Sequence, residues 1–426
     1  MDGSRPKVVI IGGGFAGLSA ARTLAGEAVE VTLVDRHNFH TFQPLLYQVA
    51  TAGLDPADVA YPIRTIFRKA PNLTFRHARA VSVDVEGRTV DLDDGESLPY
   101  DHLVVATGAA AAFFAVPGAA EHARPLYTLA DARRLRNDLL GCLEDVDAHP
   151  ERFDGGAPTF VVVGGGPTGV ETAGALVELL EMSVRHDRLR LDPERTRVVL
   201  LDGVDRLLTP FDPSASRYTE ETLRARGVAV RLGTTVAEVT AAGVRLADGE
   251  WIPAGVVIWA GGVTVEGTLA ARLPGGRGRG GRVTVTPGLS LEGHPEVFVV
   301  GDAAAVPLGP GREGPAPQLA QVAMQSGRHA ALRILAARGG PTPGPFRYRD
   351  KGIMATVGRR AAVAQLPRGP VVTGTLGWLA WLGLHLVYLV GFRNRVVVLV
   401  NWFWRYLNWA SGPRLIVTDL DREEGP

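Results

Sequence analysis

Two glycine-rich segments have the residue types and the spacing to bind phosphate groups. Residues 12–17 and 164–169 each follow the pattern G-x-G-x-x-G. In that pattern the glycines permit a tight turn and let backbone N–H groups approach a pyrophosphate at the N-terminus of a helix. Two such segments in one chain of 426 residues indicate an internal duplication and two bound dinucleotides.

An aspartate follows each glycine segment, as does the ribose-binding acidic residue of dinucleotide-binding folds. Asp35 lies about 20 residues after the first motif, and Asp202 follows the second motif at the end of an apolar run. A carboxylate at this position can bond both ribose hydroxyls, and it repels a 2′-phosphate. Asp202 therefore favours NADH over NADPH, and the nearby Arg206 weakens that preference.

Each motif requires a strand before it and a helix after it. Residues 8–11 and 160–163 are short apolar runs typical of buried parallel strands, and helical patterns begin at Leu18 and Val170. The strands that lead to the two aspartates are predicted at residues 29–34 and 197–201. The predicted fold class is α/β, with two Rossmann-like dinucleotide-binding domains.

The composition restricts the chemistry further. The sequence has 45 basic residues (Lys and Arg) and 45 acidic residues (Asp and Glu), so it carries no net charge that would attract nucleic acid. Cys142 is the only cysteine in the sequence, which excludes an intrachain disulfide, a Cys-ligated iron–sulfur cluster and a redox CxxC pair. We expect no metal, so a bound organic cofactor must carry the electrons. Residues 1–7 are a short polar lead to the first strand, so we expect no signal peptide and a cytoplasmic location.

Two further strand ends point to a flavin. Residues 103–109 and 297–303 are apolar runs that lead into Thr-Gly and Gly-Asp pairs. Together with the two glycine motifs, they resemble the two-dinucleotide-fold flavoprotein oxidoreductases, in which both pairs contact FAD. The resemblance implies a discontinuous FAD-binding domain with an inserted NADH-binding domain. The predicted bounds are 1–115 and 289–345 for the FAD-binding domain, 116–288 (core 158–285) for the NADH-binding domain, and 346–426 for a C-terminal quinone-site and membrane-anchoring region.

The stretch after Asp35 narrows the family. Residues 40–50 contain no cysteine, so disulfide reductases and sulfide:quinone oxidoreductases, which rely on thiol chemistry, are not expected. Four segments instead resemble the type II NADH dehydrogenases, which are single-subunit, non-pumping NADH:quinone oxidoreductases. These segments are residues 42–50, 259–263, 320–325 and 350–358.

The resemblance implies a reaction and a set of cofactor contacts. Hydride would pass from NADH to non-covalently bound FAD, and two electrons would then pass to a membrane quinone without proton pumping. The residues expected to contact FAD are Gly12, Gly14, Phe15, Ala16, Gly17, Asp35, Arg36, Gln43, Thr107, Gly108, Gly301, Asp302, Ala320 and Gln321. The residues expected to contact NADH are Gly164, Gly166, Pro167, Thr168, Gly169, Glu171, Asp202, Gly261 and Gly262.

Two glutamines one helical turn apart are candidates for the quinone site. Gln321 and Gln325 share a helix face, and the small Ala320 and Ala323 leave room between them. Their amides can bond quinone carbonyls, although the same segment also suits a helix packed closely on FAD. By resemblance, both glutamines line the quinone pocket, and Lys351 lies near the flavin or its entry tunnel.

Glu171 is the candidate acid for quinone protonation. It lies just after the second glycine motif, where an acidic residue is also favourable through the helix dipole alone. The resemblance favours a proton relay. Glu171, Lys351, Gln321 and Gln325 are therefore the predicted catalytic residues.

The C-terminal part has the composition of a membrane-surface segment. Apolar residues 376–390 and 396–407 are separated by the basic stretch 391–395. Because a spanning helix needs about 20 apolar residues, we predict an amphipathic, monotopic attachment to the lipid bilayer at the cytoplasmic face of the cell membrane. A buried dimerisation helix pair is the alternative, and a homodimer is expected by resemblance. The side chains that an interfacial helix uses to settle among headgroups are tryptophans, tyrosines and arginines, and in this region they are Trp378, Trp381, Tyr388, Arg393, Arg395, Trp402, Trp404, Arg405 and Tyr406.

Two other functions account for part of the sequence. A soluble flavoprotein reductase of a ferredoxin or rubredoxin would explain both motifs but would leave the C-terminal apolar segment without a role. A non-catalytic NADH-sensing flavoprotein would need both dinucleotide sites but no electron acceptor. The sequence leaves the quinone headgroup open, because that choice depends on the shape of the pocket.

Overall fold

The computed structural model describes residues 5–153, 157–185, 189, 196–408 and 414–417, and it confirms the α/β fold class. The strands are, in chain order, β1 (Lys7–Ile11), β2 (Glu30–Asp35), β3 (Phe39–Thr41), β4 (Ala60–Pro62), β5 (Leu73–His77), β6 (Ala80–Asp84), β7 (Thr89–Leu92), β8 (Ser97–Pro99), β9 (His102–Val105), β10 (Ala110–Ala111), β11 (Arg124–Pro125), β12 (Thr159–Val163), β13 (Arg197–Leu201), β14 (Val228–Arg231), β15 (Val236–Thr240), β16 (Gly243–Leu246), β17 (Trp251–Pro253), β18 (Val256–Trp259), β19 (Val263–Thr264), β20 (Ser290–Leu291), β21 (His294–Val299), β22 (Ile353–Gly358), β23 (Ala361–Gln365) and β24 (Val371–Thr373). The helices are α1 (Phe15–Leu24), α2 (Leu46–Ala50), α3 (Pro56–Val59), α4 (Ile63–Ile66), α5 (Ala119–His122), α6 (Leu129–Ala148), α7 (Pro167–Arg185), α8 (Pro213–Ala225), α9 (Ala320–Ala336), α10 (Gly374–Tyr388) and α11 (Phe392–Asn408).

The first compact unit comprises Met1–Thr41, Ala60–Ala110 and Val263–Lys351. Its main sheet has the order β20-β21-β9-β1-β2-β5, in which β20 runs antiparallel to β21 and the other neighbours are parallel. The apolar run of β1 occupies the centre of this sheet, and Val8, Val9, Ile10 and Ile11 are buried. A continuous apolar run of this kind is typical of a strand that is covered on both faces.

Small residues bring two helices of the first unit together. A Cβ added at Gly327 in α9 would lie 2.0 Å from the carbonyl oxygen of Ala16 in α1. The hydroxyl of Ser19 donates to the carbonyl of Met324 at 2.7 Å. The start of α9 is thereby fixed beside the helix that follows the first glycine motif.

The second compact unit comprises Phe42–Val59, Ala111–Gly262 and Gly352–Pro426. Its parallel sheet has the order β11-β18-β12-β13-β14. Two three-stranded antiparallel sheets, β15-β16-β17 and β22-β23-β24, belong to the same unit. A Cβ added at Gly174 in α7 would lie 2.2 Å from the carbonyl oxygen of Val357, so α7 packs directly against β22.

The compact units divide the chain at positions other than the predicted domain bounds. In the second unit, β22 of the predicted C-terminal region packs on α7. The predicted domain bounds themselves stay predictions. Residues 263–288 lie in the first unit, although they were assigned to the NADH-binding domain. Local patterns revealed the strands but gave no information on these long-range packing partners.

The C-terminal helices differ from the prediction in two respects. Helix α10 ends at Tyr388 and α11 begins at Phe392, so most of the basic stretch lies inside a helix. The prediction that Trp378, Trp381 and Trp402 face headgroups was wrong, since all three are buried in the second unit. Among the described residues, the helices are too short or too polar for any of them to cross a bilayer.

Candidate active site

The first glycine motif forms a tight turn with an open side. Gly12 has a φ of +105°, and a Cβ there would lie 2.3 Å from the carbonyl oxygen of Ala106. A Cβ on Gly17 would lie 1.8 Å from the oxygen of Gly12, so the start of α1 can approach β1 only with glycine. In contrast, a Cβ on Gly14 would meet no atom within 4 Å. This open side is where a pyrophosphate can approach the backbone.

The carboxylate of Asp35 is held in place by two backbone donors. The N–H of Gly13 donates to Oδ2 at 2.5 Å, and the N–H of His37 donates to Oδ1 at 2.7 Å. Its side chain is mostly covered, with 16% of its surface exposed. A fixed carboxylate at the carboxyl end of β2 suits the two hydroxyls of a ribose.

The two predicted flavin-contacting strand ends also belong to the first unit. Thr107 Oγ1 is buried and has no hydrogen-bond partner among the described residues, and Gly108 has a φ of +69°. The N–H of Gly301 donates to Ser326 Oγ at 3.0 Å, which anchors the turn before Asp302. The open side of the first motif, the fixed Asp35 and the unpartnered Thr107 hydroxyl fit bound FAD, whose phosphates and ribityl hydroxyls need such groups.

Other predicted FAD contacts have structural roles that the sequence did not reveal. Phe15 begins α1, and its ring lies edge-on to the ring of His40 at 5.1 Å. The amide of Gln43 donates to the carbonyl of Tyr127 at 3.1 Å. The carbonyl of Arg36 lies 3.1 Å from His77 Nε2. Contacts of Phe15, Arg36 and Gln43 with FAD stay predictions.

The second glycine motif repeats the geometry of the first. Gly164 has a φ of +111°, and a Cβ there would lie 2.4 Å from the carbonyl oxygen of Ala260. A Cβ on Gly169 would lie 1.8 Å from the oxygen of Gly164, the same distance as at the equivalent position in the first motif. A Cβ on Gly166 would again meet nothing within 4 Å. The internal duplication predicted from the sequence therefore extends to the backbone of both loops.

Asp202 is held in the same way as Asp35. Its Oδ2 accepts from the N–H of Gly165, and its Oδ1 accepts from the N–H of Val204 at 3.1 Å. The guanidinium of Arg206 donates to the carbonyl of Thr209 at 2.7 Å. The arginine thus makes a contact of its own, while the oriented aspartate lies after β13, where a ribose-binding carboxylate is predicted. This arrangement fits NADH.

Glu171 lies near the start of α7 and faces a small cavity of about 30 Å³ within the second unit. The N–H of Thr356 donates to Glu171 Oε1 at 3.2 Å. Trp381 also lines this cavity, and its buried indole N–H interacts with the Glu171 carboxyl group. The cavity therefore contains a carboxyl group and a donor that can both interact with water or ligand.

The surroundings of Glu171 favour its protonated form. Burial raises the pKa of Glu171 to about 8, and the Thr356 N–H and the nearby Trp381 indole offset only part of this effect. A carboxyl group of this kind carries its proton at neutral pH and can donate it. The neighbouring His385 cannot act as a competing acid, because burial lowers its pKa to about 4.

Sequence reasoning did not predict the network of aromatic and amide side chains that lies beside this cavity. The indole of Trp402 donates to Gln48 Oε1 at 2.9 Å, and the amide of Gln48 donates to Tyr47 Oη at 2.8 Å. The rings of Trp381 and His385 stack with their centroids 4.0 Å apart. The sequence signal was present in residues 42–50, which pointed to a family but not to these partners.

Gln321 and Gln325 share one face of α9, as predicted, and both contact the segment that ends at Lys351. Gln321 Oε1 accepts from the backbone N–H of Lys351 at 3.1 Å. Gln325 accepts from the N–H of Arg349 and donates to its carbonyl, both at 2.9 Å. The amides therefore position this segment along α9. A direct contact of Gln321, Gln325 or Lys351 with quinone stays a prediction.

The two dinucleotide folds and the C-terminal elements match known proteins over nearly the whole chain. Residues 6–327 match the pyridine nucleotide-disulphide oxidoreductase family, and residues 351–408 match the NDH2 C-terminal domain. The type II NADH:quinone oxidoreductase Ndh of Mycobacterium tuberculosis is 38% identical over 97% of this chain and 91% of its own length. The chain belongs to the type II NADH:quinone oxidoreductases.

A second curated relative agrees with this family, and a solved structure agrees with the fold. The type II NADH:quinone oxidoreductase NdhA of Mycobacterium tuberculosis is also 38% identical, over 98% of this chain and 91% of its own length. The structure of NDH2 from Plasmodium falciparum in complex with NADH superimposes with a TM-score of 0.85, at 18% identity, covering 96% of this chain and all of that chain. The predicted family is confirmed.

The single cysteine of this type II chain has no features of a redox thiol. Cys142 lies in α6, and burial raises its pKa to about 12. Because the thiolate is the reactive form, this side chain is inert at neutral pH. The exclusion of thiol chemistry, made from the cysteine count, thus has a physical basis in the fold.

Proposed function

We infer that this chain is an FAD-dependent enzyme that oxidises NADH and reduces a quinone. The observation that carries this function is the pair of complete dinucleotide sites in a chain that aligns with type II NADH:quinone oxidoreductases over almost its full length. When bound, FAD supplies the exchange of two electrons between the nicotinamide and the quinone. The chain's own residues hold the two dinucleotides and supply a proton.

The match of residues 351–408 to the NDH2 C-terminal domain favours this function over reduction of a soluble protein carrier. The experiment is steady-state oxidation of NADH by the purified protein, with a short-chain quinone and, in parallel, with ferredoxin and rubredoxin as acceptors. Rapid turnover with the quinone alone is expected. Preferred turnover with either protein carrier would overturn the proposal, and NADH binding without turnover would favour a sensor.

The mechanism on the NADH side depends on the fixed Asp202 carboxylate. We expect Asp202→Asn to raise KM for NADH about tenfold. The asparagine amide has one acceptor oxygen where the carboxylate has two, and it carries no charge. The preference for NADH over NADPH should narrow at the same time, since the repulsion of a 2′-phosphate is removed. Steady-state kinetics with both cofactors measure this.

Asp205→Asn is the matched control for this prediction. Asp205 lies three residues further along the chain and is exposed. Its change to asparagine removes the same charge. It should leave KM for NADH unchanged. Equal increases of KM in the two variants would assign the effect to general electrostatics and contradict a ribose contact by Asp202.

For the quinone side, the proposed proton donor is Glu171. Thr356 donates to Oε1 of this carboxyl group, and its acidic proton would pass to a quinone oxygen. The cavity of about 30 Å³ can hold one or two water molecules, since a water needs roughly 10–15 Å³ of such volume. Glu178 and Arg359 also line the cavity and are partly exposed, so water there can return a proton to Glu171.

The proposed quinone contacts are Gln321, Gln325 and Lys351. The support is their common position on and beside one face of α9, together with the small Ala320 and the buried Ala323 on that helix. The two glutamine amides hydrogen-bond to residues 349–351 and thereby hold that segment against α9. The Lys351 side chain would then contact the quinone from a backbone that the glutamines keep in place.

The proposed partner of the C-terminal helices is a lipid bilayer surface at the cytoplasmic face of the membrane. Leu376, Leu379 and Val387 in α10 are between 53% and 71% exposed, and Phe403 in α11 is 63% exposed. Exposed apolar side chains at this density, on helices that cannot span a bilayer, suit insertion into the interfacial region. A homodimer that buries the same side chains is the second candidate.

A triple change tests which of the two covers these helices. Leu376→Ser, Val387→Ser and Phe403→Ser together should move most of the protein from the membrane pellet to the supernatant without lowering turnover with a soluble quinone. If the variant stays on membranes but changes from dimer to monomer in analytical ultracentrifugation, the membrane proposal is contradicted. Val81→Ser, at an exposed apolar residue of the first unit, is the control.

A further inference from the structure

Phe114 occupies a strained backbone position that burial does not stabilise. The N–H of Val116 donates to the carbonyl of Phe113 at 3.0 Å and closes a turn. Its two central residues, Phe114 and Ala115, have φ angles of +51° and +55°. Glycine, asparagine and aspartate are the usual residues of such a turn, and a bulky residue there is strained. The Phe114 side chain is nevertheless 67% exposed, so the strain is not offset by packing.

The turn is fixed onto the glycine pair at the carboxyl end of β18. The indole of Trp259 donates to the carbonyl of Ala112 at 2.7 Å, and the N–H of Ala112 donates to the carbonyl of Gly262 at 3.0 Å. A Cβ built at Gly261 or at Gly262 would lie 3.5 Å from the Phe114 ring. The ring therefore stands directly beside the Gly261–Gly262 backbone and presents most of its surface outward.

The strand order defines which part of a dinucleotide reaches this position. In the second unit, β12 lies between β13 and β18. The pyrophosphate belongs at the start of α7, directly after β12, and Asp202 after β13 holds the ribose on the adenine side. The other half of the dinucleotide must therefore extend across β12 to the carboxyl end of β18. Gly261 and Gly262 lie at that end, beside Phe114.

We propose that Phe114 packs against the nicotinamide half of bound NADH and positions its ring. The flat side chain offers an aromatic surface at the place where the fold directs a planar heterocycle, and the two glycines leave the space open. Strained residues that persist without a structural gain concentrate at ligand sites. The inference rests on NADH binding at the second glycine motif but is independent of the electron acceptor.

A comparison of two ligands isolates the nicotinamide contact. NAD⁺ and ADP-ribose share the adenosine and the pyrophosphate, and only NAD⁺ carries nicotinamide. Titration calorimetry with the oxidised holoenzyme should show that Phe114→Asn weakens NAD⁺ binding by roughly two- to tenfold and leaves ADP-ribose binding unchanged. Asparagine tolerates positive φ, so the melting temperature of the variant should equal or exceed that of the wild type.

Two further variants complete the test. Phe114→Tyr keeps the aromatic surface and should retain the affinity for NAD⁺. Trp251→Ala removes a partly exposed aromatic side chain elsewhere in the second unit and should change neither ligand. Unchanged NAD⁺ affinity in Phe114→Asn, equal losses for both ligands, or a loss accompanied by a lower melting temperature would each overturn the proposal. If the wild type itself binds neither ligand, the NADH site of the proposed function fails instead.

Discussion

The Gly169→Ala variant is expected to retain FAD and to lose NADH affinity, with KM raised on the order of a hundredfold. The physical reason is that the added Cβ would lie 1.8 Å from the carbonyl oxygen of Gly164, so the phosphate-binding loop must move away from α7. A displacement of this size removes the backbone donors from the pyrophosphate. Steady-state kinetics with NADH, together with the flavin absorbance of the purified variant, measure both parts of the prediction.

Gly17→Ala places the same clash in the first motif and gives the reciprocal result. It should yield protein with little or no FAD, because its Cβ would lie 1.8 Å from the oxygen of Gly12. Gly141→Ala is the control, since a Cβ there meets no atom within 4 Å and the residue lies inside α6. If Gly169→Ala loses FAD while Gly17→Ala retains it, the assignment of the two dinucleotides is reversed. If neither variant changes, the two loops do not bind the cofactors.

The second large effect is expected for Glu171→Gln. Glutamine has the shape of a neutral carboxyl group but cannot donate a proton from an acidic oxygen, so quinone-dependent turnover should fall by about a hundredfold or more. The anaerobic bleaching of the flavin colour by NADH should continue at the wild-type rate, because that half of the reaction does not use the Glu171 proton. Glu181→Gln, on the exposed side of α7, should leave both rates unchanged.

The pH dependence provides an independent check on Glu171. Its pKa is raised to about 8, and the protonated form is the donor. Quinone reduction should therefore be sustained below pH 8 and should decline as the pH rises through 8, and this decline should disappear in Glu171→Gln. The folded group keeps its proton between pH 4.5 and 8, while the same carboxyl group in the unfolded chain ionises, so stability of the folded state declines as the pH rises through this window. The glutamine variant should therefore be at least as stable at pH 7. An unchanged pH profile in the variant would contradict the proton-relay role.

The dinucleotide sites could be predicted from the sequence because their determinants are local. The glycines, the strand before them and the aspartate after the next strand lie within 45 residues of one another, and the backbone requires glycine at Gly17 and Gly169 whatever packs around them. The same patterns predicted the strands that end at Asp35 and Asp202 to within a residue or two. Local rules were sufficient there because they describe the same hydrogen bonds that form the site.

The surroundings of Glu171 could not be predicted, because they depend on contacts between distant parts of the chain. Trp402 donates to Gln48, 354 residues away in the sequence, and Glu171 accepts from Thr356. An apolar helix with tryptophans has the same composition whether it faces lipid or the protein interior, so the burial of Trp381 was not visible. The strained turn at Phe114 was hidden for another reason, since its sequence contains none of the residues that mark such turns.

The most direct test of the account is a pair of anaerobic half-reactions on the purified wild-type protein. We expect a yellow protein with one FAD per chain, whose colour is bleached by one equivalent of NADH and restored by one equivalent of a quinone. A colourless protein that takes up no FAD would contradict it. So would a flavin that NADH bleaches but that no quinone restores.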